Sequence, residues 1–296
     1  MLQPLYGGGS ATPFSTHHEK FDQHLYLRIS DELYLKRCVI GGLDSVYEIG
    51  HDFRNEGISH KHSPEFTMLE CYQAYADYTH MMELVQAMVV ESAQTALGTL
   101  SVRHGESTIE LGGEWRRIAM ADAIRDACGI DILAASDLAS LRAAAAKAGI
   151  ARADAPTWAV LVDEIFSERV EPGLIQPTFI THHPTELSPL AKRDPNDPRL
   201  VERFELLMAG MELANAFSEL NDPDDQRARF EEARRAAAEG DAEAHPMDED
   251  FLTALEHGMP PTGGLGVGVD RLVRVLADAP NLREVILFPH LRPDAK

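Results

Sequence analysis

Three stretches of this sequence gather residues able to bind an anion, a cation and a flat ring. The first is Phe53-Arg54-Asn55-Glu56-Gly57, followed after a short loop by Glu65-Phe66-Thr67-Met68-Leu69-Glu70-Cys71-Tyr72. Two strand-like runs around a loop with Gly57 and Pro64 predict a β-hairpin. Side chains alternate along a strand, so Arg54 and Glu56 share one face, as do Phe66, Met68, Glu70 and Tyr72. If those faces coincide, a guanidinium, an aromatic ring and two carboxylates meet. Arg54 then suits a phosphate, Phe66 an adenine ring and Glu56 its exocyclic amine. A surface salt-bridge ladder with Phe66 in the core fits the same spacing.

The second stretch is Arg203-Phe204-Glu205 with Met211-Glu212-Leu213-Ala214-Asn215-Ala216-Phe217-Ser218-Glu219. Glu205 and Glu212 on adjoining runs could hold magnesium, which takes a few carboxylates together with phosphate oxygens. Strict alternation puts Asn215, Phe217 and Glu219 on one face and Glu212 on the other. For Glu212 to join Glu205 beside Asn215, the chain must bulge between 212 and 215. The alternative is an acidic strand edge that discourages aggregation. The third stretch, Gly263-Gly264-Leu265-Gly266-Val267-Gly268-Val269-Asp270-Arg271, is neither a P-loop nor the dinucleotide GxGxxG. Its alternate glycines bare one strand face, with Leu265, Val267 and Val269 on the other, and a bare face admits a flat ligand. Arg271 follows at a helix start, where the dipole already favours an anion. A tight helix–sheet contact would use the same glycines.

These residues need elements to position them. A helix is predicted from Ser30 as N-cap, carrying Leu33, Leu35 and Val39. Helical spacing of Met82, Leu84, Val85, Met88 and Val89 predicts another from Thr79 to about Leu97, stopped by Gly98. Ser101 to Arg117 reads as a hairpin turning at Gly112-Gly113. Two helices, 134–149 and 157–170, read as an insertion at about 134–172 with no chemistry of its own. Strand character returns at 174–182 and 203–220, then Asp222-Pro223 opens a charged helix that stops near Gly240. The mixture predicts an α+β domain over 1–296 with a mostly antiparallel sheet.

Bulk properties bound the function. The chain has 296 residues, 44% of them hydrophobic, enough for a sizeable core. Its net charge of -21, from 27 basic and 48 acidic residues, is not that of a surface built throughout to grip nucleic acid. No apolar run approaches the roughly 18 to 20 residues that span a bilayer, and the start lacks the pattern of a signal peptide. Cys38, Cys71 and Cys128 form no CxxC pair and fit reduced thiols, so a cytoplasmic location is expected.

Phe53 to Glu56, His62 and Pro64 to Glu70 resemble motif 2 of the class II aminoacyl-tRNA synthetases, and Gly264 to Arg271 resembles their motif 3. Resemblance to the lysyl-tRNA synthetases rests on Tyr6-Gly-Gly-Gly9, Thr16-His-His18, Leu25-Tyr-Leu-Arg28, Glu32-Leu-Tyr-Leu-Lys-Arg37, Tyr72-Gln-Ala-Tyr-Ala-Asp77, the run from Asn215 to Asp222, and Phe288-Pro-His-Leu-Arg-Pro293. It runs essentially end to end. It implies an antiparallel sheet flanked by helices, with ATP contacts from Arg54, Glu56, His62, Phe66 and Arg271, of which Arg54 and Arg271 are catalytic. It implies Mg2+ on Glu205 and Glu212, and a lysine pocket lined by Gly8, Glu32, Glu70, Tyr72, Asn215, Phe217, Glu219 and Gly266. The residues agree with that amino acid: an ammonium held from water needs carboxylates, which Glu32, Glu70 and Glu219 can supply. The implied partners are L-lysine, ATP and the tRNA acceptor end, with a homodimer in full-length relatives and no membrane. Relatives precede the Tyr6 segment with motif 1 and an anticodon-binding OB-fold. Neither is in this sequence, so a catalytic domain truncated at its N-terminus is expected. Two other readings stand beside it. One is a shortened paralog handing lysine to a protein, as relatives that modify elongation factor P do, or to a small molecule. The other is a non-catalytic binding protein, against which intact Arg54, Arg271, Glu205 and Glu212 speak.

Overall fold

Alternating burial organises one large sheet in the computed structural model, which describes residues 1–9, 11–238 and 246–291, the side chains of 236–238 excepted. The chain opens with β1 (Leu2–Gln3), β2 (Ser15–His18) and β3 (Gln23–Leu27), paired antiparallel in the order β1-β3-β2. Next come α1 (Glu32–Ile40), the hairpin of β4 (Ser45–Phe53) and β5 (Glu65–Ala74), and α2 (Tyr78–Leu97). A small hairpin, β6 (Ser101–His104) and β7 (Ser107–Glu110), leads to β8 (Arg116–Ala119), α3 (Met120–Cys128), α4 (Leu138–Lys147) and α5 (Trp158–Arg169). The remainder is β9 (Thr178–Thr181), β10 (Arg203–Met208), β11 (Met211–Ser218), α6 (Pro223–Ala238), α7 (Glu249–Glu256), β12 (Thr262–Gly268) and α8 (Val269–Leu276). Seven strands lie side by side as β4-β5-β12-β11-β10-β9-β8, antiparallel except for the β8–β9 pair. The class is α+β, as expected.

Two apolar clusters support this sheet. Along α2, Met81, Met82, Val85, Val89 and Ala93 recur at helical spacing and bury one stripe against Leu213, Leu265 and Val267 of the sheet. Asp77 starts α2 by accepting from the backbone N–H of Thr79 and His80, and Gly98 ends it at φ +70°. The second cluster gathers Ile124, Leu141, Leu161, Ile165 and Phe166 of α3 to α5 against Ile180 and Leu207. Among the described residues, no helix is long and apolar enough to cross a membrane.

Several expected boundaries move. The N-cap of α1 is Asp31, not Ser30. Ser30 Oγ instead accepts the Glu32 N–H and donates to Glu70. The hairpin after α2 turns at Gly105, not at Gly112-Gly113. Pairing His104 with Ser107 leaves a two-residue turn that needs the positive φ Gly105 supplies, and buries Val102 opposite Ile109. Gly113 serves a later turn into β8, which pairs with β9 instead of closing a hairpin. The end of the charged helix near Gly240 and the last two residues of the 288–293 run lie outside the described residues.

The bulge that alternation demanded is present. Leu206 pairs with Ala214 while Leu207 pairs with Glu212, leaving Leu213 as the extra residue. Glu212 thereby joins the face of Glu205 and its cross-strand partner Asn215. Replacing Asp77 with Ala should cost about 1 kcal/mol through the lost cap. A thermal melt should show that as a fall of about 2 °C, and an unchanged midpoint would show that the cap contributes nothing.

Candidate active site

The glycine face of β12, with its neighbours β5, β11 and β10, floors a cavity of about 350 Å³. Every residue expected to contact ATP, lysine or magnesium lines it. Gly8 comes from the N-terminal stretch and Glu32 from α1. Arg54, Glu56 and His62 come from the β4–β5 loop, and Phe66, Glu70 and Tyr72 from β5. Glu205 lies on β10, Glu212, Asn215 and Phe217 on β11, Glu219 just beyond it, Gly266 on β12 and Arg271 on α8. Two placements differ from simple alternation. β4 ends at Phe53, so Arg54 and Glu56 belong to the loop, and only the Arg54 N–H continues the ladder, to Pro64 O at 2.9 Å. The Arg54 guanidinium lies over the Phe66 ring, 5.2 Å from its centroid.

The glycine row divides its work. A Cβ on Gly264 would stand 1.9 Å from Glu219 Oε1 and 2.5 Å from Tyr72 Cε1, so protein side chains fill that part of the bare face. At Gly266 the nearest atom to such a Cβ, Met68 Cε, is 3.6 Å away, which leaves room over the backbone for a ligand.

One end of the cavity is rich in arginine. Arg271 Nη1 donates to the Glu212 carbonyl at 2.7 Å and to its Oε2 at 3.2 Å. Arg203 donates to Glu205 Oε1 at 2.6 Å and to Asn215 Oδ1 at 2.9 Å. Burial pushes the Glu205 carboxyl up to about 7 against the pull of Arg203. Burial acts on Glu212 too, but Arg271, Arg203 and Arg54 outweigh it and hold that carboxyl below its usual range. Burial, helped by Arg271 and Lys61, lowers His62 to about 4, so its imidazole is neutral near pH 7. The loop carrying His62 is tethered twice: Lys61 pairs with Glu171 beyond α5, and Leu282 N–H donates to His60 O. Among the described residues no group of three or more His, Cys, Asp or Glu could cage a metal. Glu205 and Glu212, set on one face by the bulge, suit magnesium that arrives with phosphate oxygens.

The other end is a pit of buried carboxylates. Glu70 accepts from Ser30 Oγ at 2.7 Å and the Asp31 N–H at 3.1 Å, and its second oxygen accepts from Tyr72 OH at 2.9 Å. Glu219 is 1% exposed, and among the described residues its Oε1 accepts no hydrogen bond. Its Oε2 meets the Lys36 ammonium, which also lies 2.5 Å from Glu32 Oε1. Burial raises the Glu70 carboxyl, and burial with Glu32 and Glu70 nearby raises that of Glu219 despite Lys36.

The family model for tRNA synthetases class II (D, K and N) matches residues 1–292. The chain belongs to that family. Among curated relatives, the lysine–tRNA ligase of Chloroflexus aurantiacus is 57% identical over 292 residues, covering 99% of this chain and 60% of that protein. That of Thermosynechococcus vestitus is 54% identical over 296 residues, covering 100% and 58%. That of Bacillus subtilis is 52% identical over 291 residues, covering 98% and 58%. The chain thus spans about three fifths of the length of the relatives it matches.

The candidate site also depends on residues that reasoning from the sequence passed over. Lys36 had no signal, because a lysine four residues after Glu32 on a helix ordinarily reads as an exposed pair. Arg203 could have been found, since it alternates onto the face of Glu205. Asp270 ties α8 to β5 by accepting the Thr67 N–H at 2.7 Å.

Behind the pit, buried Arg28 pairs with Asp31, Glu48 and Asp52 at 2.5, 2.5 and 3.0 Å. Burial, with Glu70 nearby, lifts Asp31 to about 7 and Asp52 to about 8. A carboxyl raised on folding stabilises fully below its unfolded value near 4, and that stability is lost as pH rises through 7 and 8. Asp52→Asn should therefore flatten the fall in melting midpoint between about pH 4 and 8. An equally steep fall in the variant would remove Asp52 from the account.

Proposed function

We propose that this chain is the catalytic domain of a lysine–tRNA ligase, joining L-lysine to ATP as lysyl-adenylate and passing lysine to the acceptor end of tRNA. The observation that carries this reading is Glu219 Oε1, a buried carboxylate oxygen at the cavity wall with no hydrogen-bond partner among the described residues. Beside Glu70 and Tyr72 it calls for a cation, and the ε-ammonium of lysine brings one with three donors. The named relatives support the same amino acid, each being a lysine–tRNA ligase.

In this proposal the pit fixes the substrate side chain and Glu32 receives the α-ammonium, so the lysine carboxylate faces the arginine end. Asn215, Phe217, Gly8 and Gly266 shape the walls between. Phe66 offers its ring to adenine, Arg54 its guanidinium to the α-phosphate, and Glu56 an acceptor to the exocyclic amine. His62, held neutral, adds a hydrogen bond without a charge. A lysine carboxylate oxygen attacks the α-phosphorus, the bond to the bridging oxygen breaks, and pyrophosphate leaves. The nucleophile is already ionised, so no general base is needed, and positioning and charge stabilisation by Arg54 and Arg271 do the work. Magnesium held by Glu205 and Glu212 would neutralise phosphate charge. We read 134–172 as an insertion within this domain, the cytosol as its compartment, and the homodimer as a property of full-length relatives.

ATP–pyrophosphate exchange should be stimulated by lysine alone among the amino acids. Glu219→Gln should lower kcat/KM for lysine about a hundredfold, equal to about 2.7 kcal/mol. Stimulation by aspartate or asparagine in place of lysine, or by no amino acid in folded protein, overturns the proposal.

A further inference from the structure

We propose that Lys36 is a positioning residue of the amino-acid pocket, a resident ammonium that holds Glu32 and Glu219 in place and leaves two positive charges for the substrate to supply. The inference rests on the lysine-activating reading above and adds to it a residue that touches no substrate atom.

Lys36 is 0% exposed and is absent from the cavity lining, so it stands behind the carboxylates. It projects from α1 one turn after Glu32, and its Nζ lies 2.5 Å from Glu32 Oε1 and against Glu219 Oε2. The rings of Phe217 and Phe251 flank it, with centroids at 5.5 and 6.0 Å. The ammonium therefore occupies one oxygen of each of two pocket glutamates. It leaves Glu219 Oε1, poised over Gly264, as the acceptor without a partner.

The charge count gives this arrangement its meaning. Burial raises all three carboxyls, and a cation beside them restores the ionised form; with substrate in place Glu32, Glu70 and Glu219 carry three negative charges, and Lys36 cancels one. Free lysine brings two ammonium groups, which complete neutrality. A neutral amino acid brings one and strands a buried charge, the strongest form of rejection a desolvated site offers. Without Lys36, even lysine would leave one carboxylate uncompensated. Stability alone is a poor reason for such a residue, because a well-packed apolar side chain of similar volume often serves a buried site as well as an ion pair.

The test compares two variants by calorimetry of lysine and ATP separately, with exchange kinetics alongside. Lys36→Met keeps the length and removes the charge. It should weaken lysine binding and raise the lysine KM about thirtyfold or more, leaving ATP affinity within about twofold. Lys36→Ala opens room for a small cation, and lysine affinity should return on adding n-propylammonium but not n-butanol. Unchanged lysine affinity in Lys36→Met overturns the inference, as does parallel loss of lysine and ATP affinity, or rescue by the neutral alcohol as good as by the cation. If Lys36→Met does not fold, the two rescues of Lys36→Ala decide alone. A parent chain that binds no lysine overturns the functional reading itself, and that failure is visible before any variant is made.

Discussion

Carboxylates taken out of water need hydrogen-bond donors or compensating positive charge, and this fold buries three of them, Glu32, Glu70 and Glu219, along one wall of one cavity. Most of what surrounds them answers that constraint. Ser30, the Asp31 N–H and Tyr72 satisfy Glu70, and Lys36 bridges the other two. The close approach of Glu219 and Tyr72 in turn requires glycine at 264. What remains uncompensated is the capacity to bind a cation. The opposite end inverts the pattern, with Arg54, Arg203 and Arg271 outnumbering Glu205 and Glu212, the carboxylates they touch, so that positive charge is in excess there.

The sheet is the device that keeps these two ends at a fixed separation. Four adjacent strands contribute Phe66, Glu70, Tyr72, Glu205, Glu212, Asn215, Phe217 and Gly266, whose positions follow from backbone pairing, while Arg54, Glu56 and His62 depend on the β4–β5 loop. The bulge at Leu213 is the one departure from regular pairing in β10–β11, and it re-aims Glu212 without disturbing the apolar face on which α2 packs. The helical cluster of α3 to α5 packs on Ile180 and Leu207, which the register puts on the same face as Glu205 and Glu212 and opposite α2.

Much of this was legible beforehand wherever a two-residue period met a functional demand. The alternation of Phe66, Glu70 and Tyr72, the glycine row and the bulge all follow from strand geometry, and the bulge was legible because regular alternation contradicted a shared Glu205–Glu212 site. The hairpin after α2 was misplaced because Gly112-Gly113 is the louder turn signal, whereas burial of Val102 and Ile109 sets the register and makes Gly105 the turn. Gly264 was read as open to a ligand, because its filling by Glu219 and Tyr72 depends on contacts distant in sequence. Lys36 was invisible for the same reason: nothing in a helix pattern says that α7 and β11 will close over it.

The two tethers on the β4–β5 loop have a kinetic meaning. Lys61 ties the loop to the turn after α5, and His60 ties it to the C-terminal segment at Leu282. Any swing of that loop over a bound nucleotide must stretch or break attachments to parts of the chain that take no part in the chemistry. Residues remote from the cavity floor thus share in setting what any motion of that loop costs, although the proposed chemistry gives them no part.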